Sequence, residues 1–121
     1  MRDYLTIADV LAIHADQIDR YGGSAGLRDP GLLEAALFRP QTGYYADLFE
    51  EAAALWESLS QSHAFVDGNK RTAFAAVYTF LAINNVELDV PPGETYAFIS
   101  NLHETGNFRF DELVKWLREK F

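Results

Sequence analysis

From Ala73 to Ile83 the chain would be apolar on every face of a helix. Phe74, Val77, Tyr78 and Leu81 mark one face, and Ala73, Ala75, Ala76, Phe80, Ala82 and Ile83 fill the others. A helix of that kind must be surrounded by other elements, so it belongs at the centre of a domain. The run contains Thr79 and is too short to span a bilayer. Upstream, Leu48, Ala52, Leu55, Trp56 and Leu59 recur at helical spacing, with His63 at the C-terminal edge of the same stripe. Between these two helical patterns, His63-Ala64-Phe65-Val66-Asp67-Gly68-Asn69-Lys70-Arg71-Thr72 gathers a histidine, a carboxylate, a glycine and two cations.

The two cations fall where a helix least wants them. Gly68 and Asn69 suit a tight turn and an N-cap, which puts Lys70 and Arg71 in the first helical turn. Free N–H groups and the helix dipole already make that end positive, and a cation there costs roughly 0.3 to 1 kcal/mol. The placement makes sense if an anion binds. A helix N-terminus entered through glycine is a phosphate site; Arg71 would grip phosphate oxygens with a forked pair of bonds, and Lys70 would add a point charge. Asp67 would repel that phosphate unless a divalent cation such as Mg²⁺ bridges them. His63, whose imidazole can accept a proton, suits removal of a hydroxyl proton. Together these residues point to metal-assisted transfer of part of a nucleotide to a hydroxyl.

Each piece taken singly has a plainer explanation. A histidine ending an apolar stripe is most often half-buried and bonded to a carbonyl, Asp-Gly-Asn is most often a turn, and adjacent cations are most often solvated. The combination interrupts what would otherwise be one hydrophobic helical hairpin. A P-loop is excluded because Gly68-Asn69-Lys70-Arg71 lacks its Gly-Lys-Ser/Thr ending, and an EF-hand because Arg71 stands where an oxygen ligand is needed.

The remaining elements follow from caps and periods. Thr6 with Asp9 reads as a capping box, and Ile7, Val10, Leu11, His14, Ile18 and Tyr21 form the apolar face of a helix ended by Gly22-Gly23. His14, on that inward stripe, reads as structural, and Gly22 to Arg28 as a flexible loop. Asp29-Pro30 starts a short helix through Leu37 with Leu32, Leu33 and Ala36 inward, and Pro40 stops it. Thr42-Gly43 suits a small hairpin flanking Tyr44 and Tyr45. A helix from Asp47 to near Ser62 precedes the polar loop, and the central helix ends near Asn84-Asn85. Val86 to Val90 alternates, without enough support for a strand. A helix from Glu94 to Leu102 and another from Phe110 to near Lys120, with Leu113, Val114, Leu117 and Phe121 inward, complete the chain. The expected architecture is all-α: a compact bundle of about six helices around a buried central helix, with a possible β-hairpin flap.

With 121 residues there is room for a single domain, residues 1–121, that buries about two-thirds of its unfolded surface. The absence of cysteine excludes disulfides and thiol catalysis and fits a reducing, cytoplasmic setting. Met1 to Thr6 leads into a helical pattern with no signal-peptide core, so neither membrane nor export is expected. A net charge of −8 argues against direct nucleic-acid binding and makes the Lys70-Arg71 pair more conspicuous.

His63 to Arg71 resembles the His-x-Phe-x-(Asp/Glu)-(Gly/Ala)-Asn-(Gly/Lys)-Arg motif of the Fic/Doc family, whose members transfer AMP, phosphate or related groups from nucleotides to protein hydroxyls. It matches at every fixed position. Arg20-Tyr21-Gly22-Gly23, Gly26-Leu27-Arg28-Asp29-Pro30-Gly31-Leu32-Leu33-Glu34 and Arg39-Pro40-Gln41 are similar to the death-on-curing (Doc) toxins in particular. The resemblance implies His63 as general base, Asp67 as the carboxylate holding Mg²⁺, and Gly68, Asn69, Lys70 and Arg71 as the phosphate-binding turn for ATP. It also implies Phe65 as the buried anchor of the loop, and a flap near Tyr44 and Tyr45 that positions the target.

Lys70 separates the chemistries. AMP-transferring members have glycine there; lysine is the Doc pattern, and the resemblance implies transfer of the γ-phosphate to a serine or threonine of elongation factor Tu, arresting translation. Gly68, where the best-known Doc motif has alanine, leaves AMP transfer as the alternative, although Phe74 replaces the second arginine that many AMP transferases carry. A non-catalytic peptide- or antitoxin-binding module is the second alternative. Ser100 and Glu104 have the spacing of the family's self-inhibitory motif, but Thr105 breaks it. A separate Phd-like antitoxin with a disordered C-terminal segment is therefore the expected restraint.

Overall fold

The computed structural model describes residues 2–121. The chain forms six α-helices: α1 (Ile7–Tyr21), α2 (Pro30–Phe38), α3 (Leu48–Gln61), α4 (Asn69–Ile83), α5 (Pro92–Glu104) and α6 (Phe110–Lys120), with a 3-10 turn at Arg39–Gln41. The architecture is the all-α bundle expected. Among the described residues the only β pairing is an isolated antiparallel bridge between Leu27 and Phe65. No described helix is long and apolar enough to cross a membrane.

The caps act where the sequence puts them. Thr6 and Asp9 form a reciprocal capping box on α1, and Asp29 accepts from Leu32 N–H with Pro30 in the first turn of α2. Asp47 caps α3 by accepting from Glu50 N–H. These satisfy backbone donors that a helix start leaves open.

α3 and α4 pack along each other and form the centre, with α6 against α3. α3 is buried without interruption from Glu51 to Trp56, so the centre is a pair of helices. Trp56 is fully buried and meets Phe74, Phe108 and Trp116 with ring centroids 5.4, 6.0 and 5.6 Å away. α4 contributes Thr72, Ala73, Ala76, Val77, Phe80 and Leu81 to the interior. Its opposite face, with Ala75, Tyr78 and Thr79, remains open and lines a groove.

Several local expectations change. No hairpin forms at Thr42-Gly43, because Arg39 draws the chain into a 3-10 turn. Its guanidinium bonds Glu57, Ser58 and the Tyr45 hydroxyl at 2.8, 2.9 and 2.7 Å. Tyr45 then leans on Phe110, and Tyr44 is left 85% exposed. In α1 only Val10 and His14 are buried; Tyr21 is exposed where it lines the open groove, and Ile7 and Leu11 are exposed outside that lining. The buried set of α2 is Leu33, Ala36 and Leu37, with Leu32 outward. In α6, Trp116 joins Leu113 and Leu117 inside, while Phe121 is exposed. Helix α5 runs two residues further at each end than its apolar pattern suggests, with Pro92 in its first turn. Val86 to Val90 is not a strand; it is held by burial of Leu88.

Candidate active site

The site is built where α3 ends and α4 begins. Ser62 closes α3 in the right-handed region, and His63 then turns to φ 53°, a left-handed conformation that histidine tolerates better than most side chains. Arg28 Nε donates to the His63 carbonyl at 2.8 Å, and the imidazole stays exposed. The next two residues plunge inward: Ala64 and Phe65 are buried, so Phe65 sits where an anchor would. The Asn69 amide closes a ring on Phe65, its Oδ1 accepting from Phe65 N–H and its Nδ2 donating to Phe65 O, both at 3.0 Å. Asn69 therefore staples the loop with its side chain, and the N-cap is Gly68.

Gly68 is there for its backbone. At φ 75° it adopts a left-handed turn that L side chains rarely take, and an added Cβ would lie 3.1 Å from Ile18 Cδ1 and 3.3 Å from Arg71 Nη2. The first intrahelical bond runs from Thr72 N–H to Gly68 O. The backbone N–H groups of Asn69, Lys70 and Arg71, which precede that bond, consequently have no helical partner.

Asp67 accepts from Gly68 N–H on Oδ1 at 2.8 Å and from Ser24 N–H on Oδ2 at 3.1 Å. Those bonds, the Ser24 one foremost, hold its carboxyl below the usual range, helped by the charges of Arg71 and His14. It is ionised near neutral pH, and each oxygen keeps a lone pair. No group of three or more metal-ligating side chains exists among the described residues. One carboxylate fits a Mg²⁺ completed by phosphate oxygens and water, and does not fit a cage made by protein alone.

Arg71 Nη2 donates to Gly22 O at 2.9 Å, and the guanidinium lies 5.8 Å from the centre of the Tyr21 ring. Lys70 is exposed and makes no ion pair among the described residues. Phe74 packs on Trp56, so no second cation follows Arg71 on this face.

The loop from Gly22 to Arg28 is pinned rather than flexible. Val66 N–H donates to Gly26 O at 3.0 Å, and Arg28 and Asp29 N–H both donate to Ala64 O at 2.7 and 2.9 Å. His63, Asp67, Gly68, Asn69, Lys70 and Arg71 all open onto one groove of about 1490 Å³ between α1, α4 and α5. Tyr44 and Tyr45 lie outside that lining.

Four contributors were given no site role by the sequence: Ser24, which acts through its backbone; Arg28 and Tyr21, which stand in the segments similar to Doc toxins; and His103, which lines the groove from α5. Burial, and then the charge of Lys70, hold the His103 imidazole below its usual pKa, so it is neutral near pH 7. Ser100 and Glu104 also border the groove, and no ion pair joins Glu104 to Lys70 or Arg71.

Residues 4–81, which carry α1 to α3, most of α4 and the whole loop, match the model of the Fic/DOC family. The chain belongs to the Fic/Doc family. It is 50% identical over 93 residues to the protein named Toxin Doc of Mycolicibacterium smegmatis, covering 73% of this chain and 69% of that one. It is 36% identical over 89 residues to Protein kinase doc of Escherichia phage P1, covering 70% and 71%. Within the Fic/Doc family the relatives it matches are thus Doc proteins, and the matched span includes every residue of the polar loop.

Proposed function

We propose that this protein is the toxin of a type II toxin–antitoxin module. Its reaction is transfer of the γ-phosphate of ATP to a serine or threonine hydroxyl of a translation factor, elongation factor Tu by resemblance. The observation carrying this reading is the left-handed Gly68 turn, which leaves three backbone N–H groups without a helical partner in the same groove as the Asp67 carboxylate and the exposed His63. An anion seated there meets N–H donors and two cations, and a hydroxyl beside it meets an imidazole.

In this reading the nucleotide triphosphate lies on the N–H groups of Asn69, Lys70 and Arg71. Arg71 exchanges its bond to Gly22 O for phosphate oxygens, and Lys70 adds its charge. Asp67 would hold Mg²⁺, whose contribution is to neutralise charge on the phosphates. His63 takes the proton of the acceptor hydroxyl. The hydroxyl oxygen bonds to the γ-phosphorus, the bond to the β–γ bridging oxygen breaks, and ADP leaves. The name of the phage P1 relative, a protein kinase, and lysine at position 70 favour phosphoryl over AMP transfer.

The groove continues past the loop along α4 and α5, with Tyr78, Tyr96 and Ile99 as apolar lining. A disordered antitoxin segment, Phd-like by resemblance, folds into it in this account and covers the site. The protein acts in the cytoplasm, where its target is.

The test is incubation with γ-labelled or α-labelled ATP, Mg²⁺ and lysate. The γ label alone should enter one protein, and His63→Ala should abolish it. Alpha label would instead favour AMP transfer, and label in neither would favour a binding module.

A further inference from the structure

His14 sits in α1, 53 residues before Asp67, yet its imidazole reaches the loop. The ring is 5% exposed and stacks on Phe65 at 3.8 Å between centroids with 7° between planes. Its Nε2 lies 2.8 Å from the Asp67 carbonyl oxygen. A carbonyl only accepts, so Nε2 carries the proton and donates.

The peptide that follows this carbonyl is planar and trans, so the Asp67 C=O and the Gly68 N–H point in opposite directions. With the carbonyl drawn toward α1, the N–H must face the other way, where it meets Asp67 Oδ1 at 2.8 Å. Glycine at 68 adopts either sign of φ readily, so the loop does not itself enforce this orientation. The bond from α1 is the one that fixes the carbonyl side of this peptide, while Ser24 N–H holds the carboxylate.

We propose that His14 is a positioning residue, a latch that holds the Asp67–Gly68 peptide with its N–H toward the phosphate side and thereby seats the Asp67 carboxylate. Turned over, the same peptide would aim a carbonyl oxygen at that carboxylate and at any bound anion. The role in transfer rests on the reading of the loop as the nucleotide and metal site; the latch itself does not.

The test uses the full chain with His14→Phe, which keeps a flat ring against Phe65 without a donor, and His14→Gln, whose amide nitrogen restores one. In the wild-type protein the imidazole ¹⁵N shifts should show Nε2 protonated. Amide exchange at Gly68 should rise by at least about tenfold in His14→Phe and return near the wild-type rate in His14→Gln, with α4 core amides unchanged. Phosphoryl transfer at limiting Mg²⁺ should fall about tenfold in the first variant and recover in the second, at similar thermal midpoints. An unprotonated Nε2, unchanged Gly68 exchange in His14→Phe, or lost protection in a folded His14→Gln overturns the latch. If His14→Phe does not fold, the wild-type ring and His14→Gln decide it. Wild-type protein that transfers no label contradicts the nucleotide reading, while exchange still judges the latch.

Discussion

Arg28 donates its Nε–H to the carbonyl oxygen of His63 at 2.8 Å, across 35 residues of sequence. The bond ties the loop before α2 to the one residue of the motif that stands in a left-handed, non-glycine conformation. Such a conformation persists only where its surroundings hold it. Arg28→Ala should therefore cost about 1 kcal/mol of stability. Transfer should fall further than stability does, because His63 loses its fixed backbone. Thermal melts and initial rates on the same preparation check this; a rate equal to wild type would contradict it.

Gly23 makes room for Asp67. A Cβ at position 23 would come 2.6 Å from Asp67 Oδ2, at a φ of 113° that side chains rarely adopt. Gly23→Ala should displace the carboxylate and break its bond to Ser24 N–H. The expected outcome is a raised Mg²⁺ requirement for transfer and a stability loss of about 1 to 2 kcal/mol. A Mg²⁺ titration of the initial rate and a urea melt are the measurements.

Lys70 separates function from folding. It is exposed and unpaired among the described residues, so Lys70→Gly should shift stability mainly by its helix propensity, about 1 kcal/mol near a helix start. Phosphoryl transfer should weaken by about tenfold or more, the effect of losing a charged contact to phosphate. Label partition between γ and α positions measures any gain of AMP transfer; unchanged kinetics would remove the reason for preferring a kinase.

His103 gives a pH dependence with a definite sign. Burial holds its folded pKa below the ordinary 6.5. Between the two values the unfolded chain binds the proton and the folded chain does not, so stability falls as pH drops below about 6.5. His103→Gln should flatten that part of the stability–pH curve between pH 7 and the acid side of the window. Urea melts of both proteins across the window test it, and parallel curves would contradict it.

How much of this was readable beforehand depends on the range of each interaction. The helices were, since capping by Thr6 and Asp29 and the period of α3 and α4 are local features. The polar residues of the motif lie close together in the sequence, and His63, Asp67, Asn69, Lys70 and Arg71 open onto one groove. The failures are long-range. Nothing near Thr42 announces that Arg39 will reach Glu57 and Ser58 and replace a hairpin with a 3-10 turn. Nothing in Ile7 or Leu11 tells that their side of α1 is left uncovered. The apolar stripe of α1 places His14 inside, but its partner on Asp67 is visible only in three dimensions.

The central claim is that a triphosphate docks on the amino end of α4 beside His63. The most direct measurement is an amide ¹⁵N titration of the wild-type protein with ATP and Mg²⁺. Saturable shifts are expected, largest at Asn69, Lys70 and Arg71, with the His63 ring moving in step. Shifts confined to other helices, or no saturable shift at this turn, would contradict it.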